Sequence, residues 1–252
     1  MSRVQIDPPP RYRERPSRTV PGATVWTRTI GPADDAPVLP DGCMDLLWLG
    51  GRLVVAGPDT RAYSATAAPG TRISGIRFFP GTAPALLGVP ARELLDRRAE
   101  LDDLWRPARV RPLTEFLAAA ADPLIGLDRI AGDVAAEANP ADPALGAVVR
   151  GLGAGASVAA LAASLGLGER RLHRMSLSAF GYGPKMLGRV LRLQRALTLA
   201  RAGIPFAETA FRAGYADQAH LAREVRELAG TSLARLLTRD RTAQAGGQAS
   251  GA

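Results

Sequence analysis

The sequence predicts an α+β fold, in which a β-rich first part is followed by an all-α second part. Between about residues 23 and 80, β-branched and aromatic residues form short runs that end at Gly or Pro, which is typical of strands. Beyond residue 156, apolar residues recur every three or four positions, which favours helices alone. The 252 residues are enough for two domains that each bury a core.

Four runs carry the strand prediction, and the segments after them predict helices. The Gly50-Gly51 pair lies between two of the runs and is suited to a tight hairpin. The first 20 residues, rich in Pro and Arg, are expected to be irregular. The strand runs cover 23–30, 44–49, 52–56 and 72–79, and the helical segments cover 83–88, 91–97, 111–120 and 124–138.

Breaks in composition suggest where the domains end. The domain boundary falls either in the Pro-containing stretch 139–143 or in the Gly-rich stretch 151–155, and the chain after residue 240 is of low complexity. We therefore predict a β-rich domain with trailing helices over 1–138, a linker over 139–156, a helical domain over 157–240 and a disordered tail over 241–252.

Charge is distributed unevenly between the two parts. Residues 1–150 contain 18 Arg and 18 acidic residues, whereas residues 151–252 contain 14 basic residues and 6 acidic ones. The whole formal excess of +8 therefore lies in the helical part. This predicts an anionic partner, double-stranded DNA first, with a merely solvated basic surface as the alternative.

Other features restrict the class of protein. No run of about 18 apolar residues predicts a membrane span, and residues 1–10 lack the apolar core of a signal peptide. A single cysteine, Cys43, excludes an internal disulfide and fits a reducing compartment. We expect a cytoplasmic protein with no membrane partner.

The helical part contains an internal repeat. The pattern Ala-x3-Gly-apolar occurs at 162–167 and again at 210–215, and Leu-x-Arg occurs at 172–174 and again at 221–223. The two copies lie 48 residues apart in the first pattern and 49 residues apart in the second. The extra residue lies inside or beside the turn, where an insertion costs least. Two copies of one helix, glycine turn and helix unit are therefore predicted.

The second helix of each copy would turn polar side chains away from its apolar face. Such side chains can read base edges in a major groove, where Arg pairs with guanine and Gln with adenine. The candidate base-facing residues are Arg170, Arg171, His173 and Arg174 in the first copy and Gln218, Ala219, His220 and Arg223 in the second.

A long helix over 184–203 would join the two copies, because it begins with Pro and ends with Gly. Its apolar residues fall on one side, and Lys185, Arg189 and Arg192 fall roughly opposite. These three residues are candidates for contacts with DNA phosphates, with a solvated face as an equal alternative.

The segments 157–174, 180–185 and 210–223 resemble the AraC/XylS (arabinose regulator-like) family of bacterial transcription factors. The resemblance spans about 155–238 and implies a seven-helix domain whose two helix-turn-helix units bind adjacent major grooves. It implies base contacts from Arg170, His173, Arg174, Gln218, His220 and Arg223, with a structural role as the alternative for His220. Ser176, Leu221 and Val225 stand where the family usually has aromatic residues, which affects packing more than DNA contact.

The first part resembles the sensor-like domain of a regulator subgroup through residues 40–48, 55–60 and 77–81. This resemblance implies a cupin-like domain that binds a small-molecule effector, dimerises or passes a signal. RNA polymerase is a further candidate partner, because the resemblance implies a regulator that binds DNA. Trp48, Arg77 and Phe79 are candidate effector-binding residues, with core packing as the alternative.

An enzyme is the competing class. Both histidines lie in the helical part, so none is available to activate Cys43 or a serine in the first domain. The two histidines lie on separate predicted helices without other metal-ligating partners, so neither a metal nor a cofactor is predicted. We expect a sequence-specific DNA-binding regulator without catalysis. A non-specific basic architectural protein, and then a small-molecule-binding or enzymatic protein, are the alternatives.

Overall fold

The computed structural model describes residues 12–32, 37–64 and 67–239, and within them a β-sheet is followed by helices, as predicted. The predicted disordered tail over 241–252 lies outside the described residues. The strands are β1 (Tyr12–Pro16), β2 (Thr24–Thr29), β3 (Met44–Leu49), β4 (Arg52–Ala56), β5 (Arg72–Phe78) and β6 (Arg98–Glu100).

The six strands form one antiparallel sheet in the order β1-β2-β5-β3-β4-β6, so that β1 and β6 lie at its edges. Gly50 and Gly51 have φ angles of 58° and 78°. Two left-handed residues match the twist of the strands that they join, which confirms the predicted hairpin. Strands β1 and β6 were not predicted, because these short edge strands are held by backbone pairing and carry mostly charged residues.

One face of the sheet packs on the helices that follow it. Leu46, Val55 and Ile76 on this face are buried together with Leu127 and Ile130, which lie on one of these helices. These helices are α1 (Ala83–Leu87), α2 (Leu101–Leu104), α3 (Pro107–Ala119) and α4 (Pro123–Glu137), with a short 3-10 turn at Ala91–Glu93.

The helical part begins earlier than the sequence suggested. The predicted linker over 139–156 contains the helix α5 (Pro143–Gly153), whose start is capped by the Asp142 side chain. Leu145, Val148 and Leu152 of α5 are buried against the helices that follow, which corrects the prediction of a linker. Those helices are α6 (Val158–Ser164), α7 (Glu169–Phe180), α8 (Pro184–Arg201), α9 (Phe206–Ala213) and α10 (Gln218–Ala229), with a last helical segment over 233–239.

The long helix α8 belongs to two apolar cores. Leu187 and Val190 near its start pack with α5, α6 and α7. Leu193 and Leu197 near its end pack with α9 and α10. The helix therefore joins the two repeated units, as predicted.

The sheet also contacts the helical part directly. Gln194 Nε2 of α8 donates a hydrogen bond to the Pro40 carbonyl at 2.6 Å. The backbone N–H of Ala62 donates to the Leu228 carbonyl of α10 at 2.7 Å, and Leu39 packs on the apolar core of α8, α9 and α10. Two loops of the sheet thus reach the helices of the second repeated unit.

Candidate nucleic-acid interface

The turn between the two helices has the same geometry in both copies of the repeat. Gly166 and Gly214 are left-handed, with φ angles of 63° and 87°. The next residue donates its N–H to the carbonyl five positions earlier in each copy, from Leu167 to Ala162 and from Tyr215 to Ala210, both at 2.9 Å. This pair of features is a glycine C-cap, and it directs the second helix across the first.

A side chain caps the first helix of the first copy and the second helix of the second copy. Ser157 Oγ accepts a hydrogen bond from the Ala160 N–H at 3.1 Å at the start of α6. Asp217 Oδ1 accepts one from the His220 N–H at 2.6 Å at the start of α10. These caps satisfy backbone donors that a helix start leaves without partners.

Helix α7 buries one face and exposes a basic one. Leu172 and Phe180 are buried in the core shared with α5 and α8. Arg170, Arg171 and Arg174 are exposed, so the structure brings these three predicted residues together on the outside of the helix.

His173 is also exposed, but its imidazole packs against the start of α8. A Cβ atom added to Gly183 would lie 2.7 Å from His173 Cε1 and 2.8 Å from Nδ1. The corresponding pair in the second copy is Ala222 and Ser232. The Ser232 hydroxyl accepts a hydrogen bond from the Arg235 N–H at 3.3 Å.

Helix α10 has the same arrangement as α7. Leu221, Val225 and Leu228 are buried and form its apolar face. The side chains of Gln218, Ala219 and Arg223 are exposed. Exposed Arg226, one turn after Ala222, extends this face and was missed because it lies beyond the segment that carries the family resemblance.

His220 does not present free nitrogen atoms on this face. Its Nδ1 accepts a hydrogen bond from the Ala216 N–H at 3.3 Å, and its Nε2 lies 3.4 Å from Glu224 Oε2. The ring also makes an edge contact with Tyr215. The structure thus favours the alternative of a structural role and corrects the assignment of His220 to base reading.

Arg189 and Arg192 are likewise occupied within the protein. Arg192 Nη2 lies 3.0 Å from both carboxylate oxygens of Glu224. Arg189 pairs with Glu224 at 3.7 Å and with Glu227 at 2.8 Å. Their assignment to DNA phosphates is therefore corrected, whereas Lys185 at the start of α8 is exposed and stays a candidate.

Glu224, like Arg226, was not predicted from the sequence. It is 6% exposed and lies on the inner face of α10, between Leu221 and Leu228. The signal in the sequence was an acidic residue at an inward-facing position of α10, opposite the helix α8, which carries arginines. Burial acts to lower the pKa of Arg192, but its hydrogen bonds to Glu224 outweigh that effect and raise it. Burial, and then the Glu224 charge, raise the pKa of Tyr215 to about 12.

Comparison with known protein families assigns the helical part. Residues 161–239 match the family described as a helix-turn-helix domain, of the AraC type. The chain is a DNA-binding transcriptional regulator with an AraC-type helix-turn-helix domain. Residues 23–100 of the regulator match a second family, the domain of unknown function DUF6597.

Several solved structures are similar to the chain, all at low sequence identity. ToxT from Vibrio cholerae O395 is 9% identical, with 90% of the regulator and 97% of ToxT covered at a TM-score of 0.46. The C-terminal domain of the response regulator AraT from Geobacillus stearothermophilus is 19% identical, with 39% and 86% covered at 0.36. A probable AraC family transcriptional regulator from Rhodopseudomonas palustris is 24% identical, with 39% and 97% covered at 0.34. No curated protein matches the sequence.

The three predicted effector-binding residues do not form one site in the regulator. Trp48 faces the core of the sheet domain and packs on it. Arg77 lies on the opposite face, with its Nε 3.3 Å from Asp41 Oδ2 and 3.5 Å from Asp45 Oδ1. Phe79 follows the strand and lies against Gly22. Core packing therefore accounts for Trp48 and ion pairing for Arg77, which corrects the joint assignment.

The charged group around Arg77 is a structural feature of the sheet. Asp45 Oδ1 accepts a hydrogen bond from Trp26 Nε1 at 2.7 Å, and burial raises the pKa of Asp45 to about 6. Burial and the charge of Asp41 raise the pKa of the nearby Cys43 thiol well above its ordinary value, which favours packing over reactivity.

Neither a metal centre nor a membrane-spanning helix is found among the described residues. No three His, Cys, Asp or Glu side chains converge there so as to hold a metal ion. Within those same residues, every helix is too short or too polar to span a bilayer.

Proposed function

We propose that the regulator binds double-stranded DNA sequence-specifically by placing α7 and α10 in successive major grooves. The observation that carries this proposal is the repeated turn. Leu167 and Tyr215 make the same backbone hydrogen bond after a left-handed glycine, and each turn leads into a helix with an exposed basic face.

The length of α8 supports two docking sites rather than one. Its 18 residues span about 27 Å at about 1.5 Å per residue. Successive major grooves on one side of B-DNA lie roughly 34 Å apart. A helix of this length that packs on both units can hold α7 and α10 at a spacing comparable with that between the two grooves.

The exposed side chains divide into two roles under this proposal. Arg170, Arg171 and Arg174 in one groove, and Gln218, Ala219 and Arg223 in the other, would face base edges. Lys185 would contact a phosphate, because it lies at the start of α8 outside the recognition helices. His173 keeps one ring edge against Gly183, so only its other edge would be available to DNA.

The sheet domain is proposed to pass an effector signal to the DNA-binding part. The contacts of Pro40 with Gln194 and of Ala62 with Leu228 support this, because they join the sheet to the helices that carry the second recognition unit. RNA polymerase and a second copy of the chain are proposed as further partners, and the protein is proposed to act in the cytoplasm without catalysing a reaction.

Selection of bound sequences from a random DNA pool by the full chain tests the proposal. We expect an enriched motif with two boxes whose centres lie about one helical turn apart. The alternative, a non-specific basic architectural protein, rests on the charge excess of +8 in the last two-fifths of the chain. It predicts salt-dependent binding with no enriched motif.

A further inference from the structure

One loop of the sheet domain contacts the ends of both recognition helices. The loop covers residues 57–63, after β4, and is called the brace below. Near its start, the Pro58 ring lies against Gly181, which ends α7. Near its end, the Ala62 N–H donates a hydrogen bond to the Leu228 carbonyl, in the last turn of α10, at 2.7 Å. One short segment of the sheet domain therefore contacts α7 and α10 together.

The contact with α7 is too close for a side chain to enter. A Cβ atom added to Gly181 would lie 2.7 Å from Pro58 Cγ and 3.2 Å from the Ala91 carbonyl oxygen. A Cβ atom added to Gly81 would lie 2.6 Å from Cε1 of Phe180, in the last turn of α7. Carbon atoms pack at about 3.5–4.0 Å, so the two glycines permit an approach that a larger residue would prevent.

The end of α7 and the turn to α8 are buried by this approach. Phe180 is 1% exposed and Tyr182 is 5% exposed. Leu95 of the sheet domain packs on the apolar core to which both of these residues belong. The Tyr182 hydroxyl oxygen would lie 3.7 Å from a Cβ atom added to Gly42, in the loop before β3. The turn between α7 and α8 is thus seated in the sheet domain.

Side chains of the sheet domain fix the residues between the two ends of the brace. Asp59 pairs with Arg98 through two contacts of 2.6 Å. Thr60 donates its N–H and its hydroxyl to Asp96, at 2.6 and 2.8 Å. The Arg98 guanidinium also lies 3.9 Å from the centre of the Tyr63 ring. The brace is therefore a fixed connection rather than a loose loop.

The backbone of Asp96 is strained in a way that these contacts explain. Its φ angle of 56° is left-handed, which among the described residues occurs otherwise at glycine alone. Such a conformation costs free energy and persists only where surrounding contacts enforce it. The Asp96 N–H donates to the Pro58 carbonyl at 3.0 Å, while its carboxylate accepts from Thr60. Asp96 therefore holds two residues of the brace at once.

The brace lies at the opposite end of the recognition helices from the DNA-facing residues. Ala62 follows Pro58 by four residues, so their two contacts with the helices are separated by at most about 14 Å of chain. The candidate base-facing residues lie in the first halves of α7 (Glu169–Phe180) and α10 (Gln218–Ala229). A small shift at the brace therefore changes the distance between the two DNA-facing surfaces.

We propose that the brace determines which spacing between two DNA boxes the regulator binds. The sheet domain acts as a specificity element, because it fixes α7 relative to α10 in addition to the packing of both on α8. Rigidly joined units gain affinity only where the boxes match their spacing, whereas loosely joined units tolerate several spacings. This inference rests on the proposed DNA-binding function, but the arrangement of the helices can be measured without DNA.

Two variants of the full chain release the two ends of the brace, each with a matched control. Ala62→Pro removes the N–H that donates to Leu228, and Ala62→Ser keeps it. Gly181→Ala brings a Cβ atom against Pro58. Its control is Gly230→Ala, because Gly230 ends α10 with a left-handed φ of 65° and an added Cβ atom would meet nothing within 4 Å. Both glycine variants strain the end of a recognition helix, but only Gly181→Ala displaces the brace.

DNA affinity is measured on the selected two-box site, on the same site with one base pair inserted between the boxes, and on a single box. The insertion should reduce the affinity of the unmodified chain and of the two controls about tenfold or more. Ala62→Pro and Gly181→Ala should bind a single box normally, bind the selected site more weakly and lose most of this preference. An unchanged preference in these two variants would overturn the proposal and assign the spacing to α8 alone.

The distance between the two helices, measured without DNA, separates this inference from the proposed function. Spin labels at Arg171→Cys and Ala219→Cys, both exposed, report on α7 and α10 by electron–electron dipolar spectroscopy in a chain with Cys43→Ser. We expect one narrow distance distribution with the brace intact and a broader one in Ala62→Pro and Gly181→Ala.

The unmodified brace is tested by this measurement even if a brace variant does not fold. A broad distribution with the brace intact would overturn the proposal, and if a two-box motif is nevertheless enriched, the brace proposal fails alone. A narrow distribution that the brace variants broaden, without any enriched two-box motif, would mean that the proposed function fails alone.

Discussion

Glu224 of α10 accepts hydrogen bonds from Arg192 of α8 through both carboxylate oxygens, each at 3.0 Å. The Glu224 side chain is 7% exposed, and the Arg192 side chain is 31% exposed. The Arg192 guanidinium also lies 4.9 Å from the centre of the Tyr215 ring, in the turn before α10. The pair therefore fixes the second recognition helix to the helix that joins the two units.

Replacement of this carboxylate should weaken both the fold and DNA binding. We expect Glu224→Ala to lower the free energy of unfolding by about 1–3 kcal/mol, because Arg192 and His220 lose their shared acceptor. The specific DNA affinity should fall as well, because α10 is no longer held in position. Urea unfolding and DNA titration of the same sample measure the two effects.

Glu227→Ala is the matched control for this change. Glu227 lies on the same helix and is exposed, and its contact is with Arg189 alone. An exposed ion pair contributes about 0–1 kcal/mol to stability. This variant should therefore have nearly the same free energy of unfolding and the same DNA affinity as the unmodified protein. Equal losses in the two variants would contradict a special role for Glu224.

Arg174 and Lys185 should differ in the kind of DNA contact that they make. Arg174→Ala should weaken the specific site by about 1–3 kcal/mol and leave non-specific binding nearly unchanged, because a base contact is lost. Lys185→Ala should weaken both kinds of DNA and reduce the slope of affinity against salt by about 1. Titrations at several salt concentrations on selected and scrambled DNA distinguish the two patterns. Identical behaviour of the two variants would exclude this division of roles.

Gly183→Ala should displace the His173 imidazole. A new Cβ atom would lie 2.7 Å from the ring, and the ring is the far end of an exposed side chain that can swing away. The backbone of Gly183 suits alanine, so unfolding should change by less than about 1 kcal/mol.

The effect of this change on DNA binding reports on His173. We expect Gly183→Ala and His173→Ala to alter specific DNA affinity equally, and the double variant to alter it no further, because both act on one ring. Additive losses in the double variant would mean that Gly183 acts by another route.

Asp45 should make stability depend on pH in a direction opposite to that of a paired surface carboxylate. Burial raises the pKa of Asp45 to about 6 from an ordinary value of 3.8, so the folded state binds the proton more tightly than the unfolded state does. The contribution of this group to stability is largest below about pH 4 and is lost as pH rises through about 6.

The Asp45→Asn variant isolates this effect, because an amide can still accept the Trp26 N–H. The stability of the unmodified protein minus that of the variant should fall as pH rises from about 4 to about 6. Chemical unfolding at a series of pH values measures it. A difference that stays constant over this range would show that Asp45 does not titrate as described.

Local signals in the sequence predicted the parts of the fold that depend on neighbouring residues. Gly50-Gly51 marked its hairpin, and Gly166 and Gly214 marked two turns, because each needs a left-handed backbone. The repeat itself predicted that one unit occurs twice around a joining helix.

Contacts between distant residues were not predictable in this way. Arg189 and Arg192 looked like an outward basic face until α10 placed Glu224 and Glu227 beside them. His220 matched a base-reading position, yet its nitrogen atoms are engaged by Ala216 and Glu224. Periodicity defines faces of a helix, but it does not say which face a neighbouring helix covers.

The spacing between the two recognition boxes tests whether α7 and α10 bind one DNA duplex at the same time. DNA affinity should be measured on the selected site and on the same site with about five base pairs inserted between the boxes, about half a helical turn. We expect the insertion to move one box to the opposite side of the duplex and to reduce the affinity to that of a single box. Unchanged affinity after the insertion would contradict the simultaneous docking of α7 and α10.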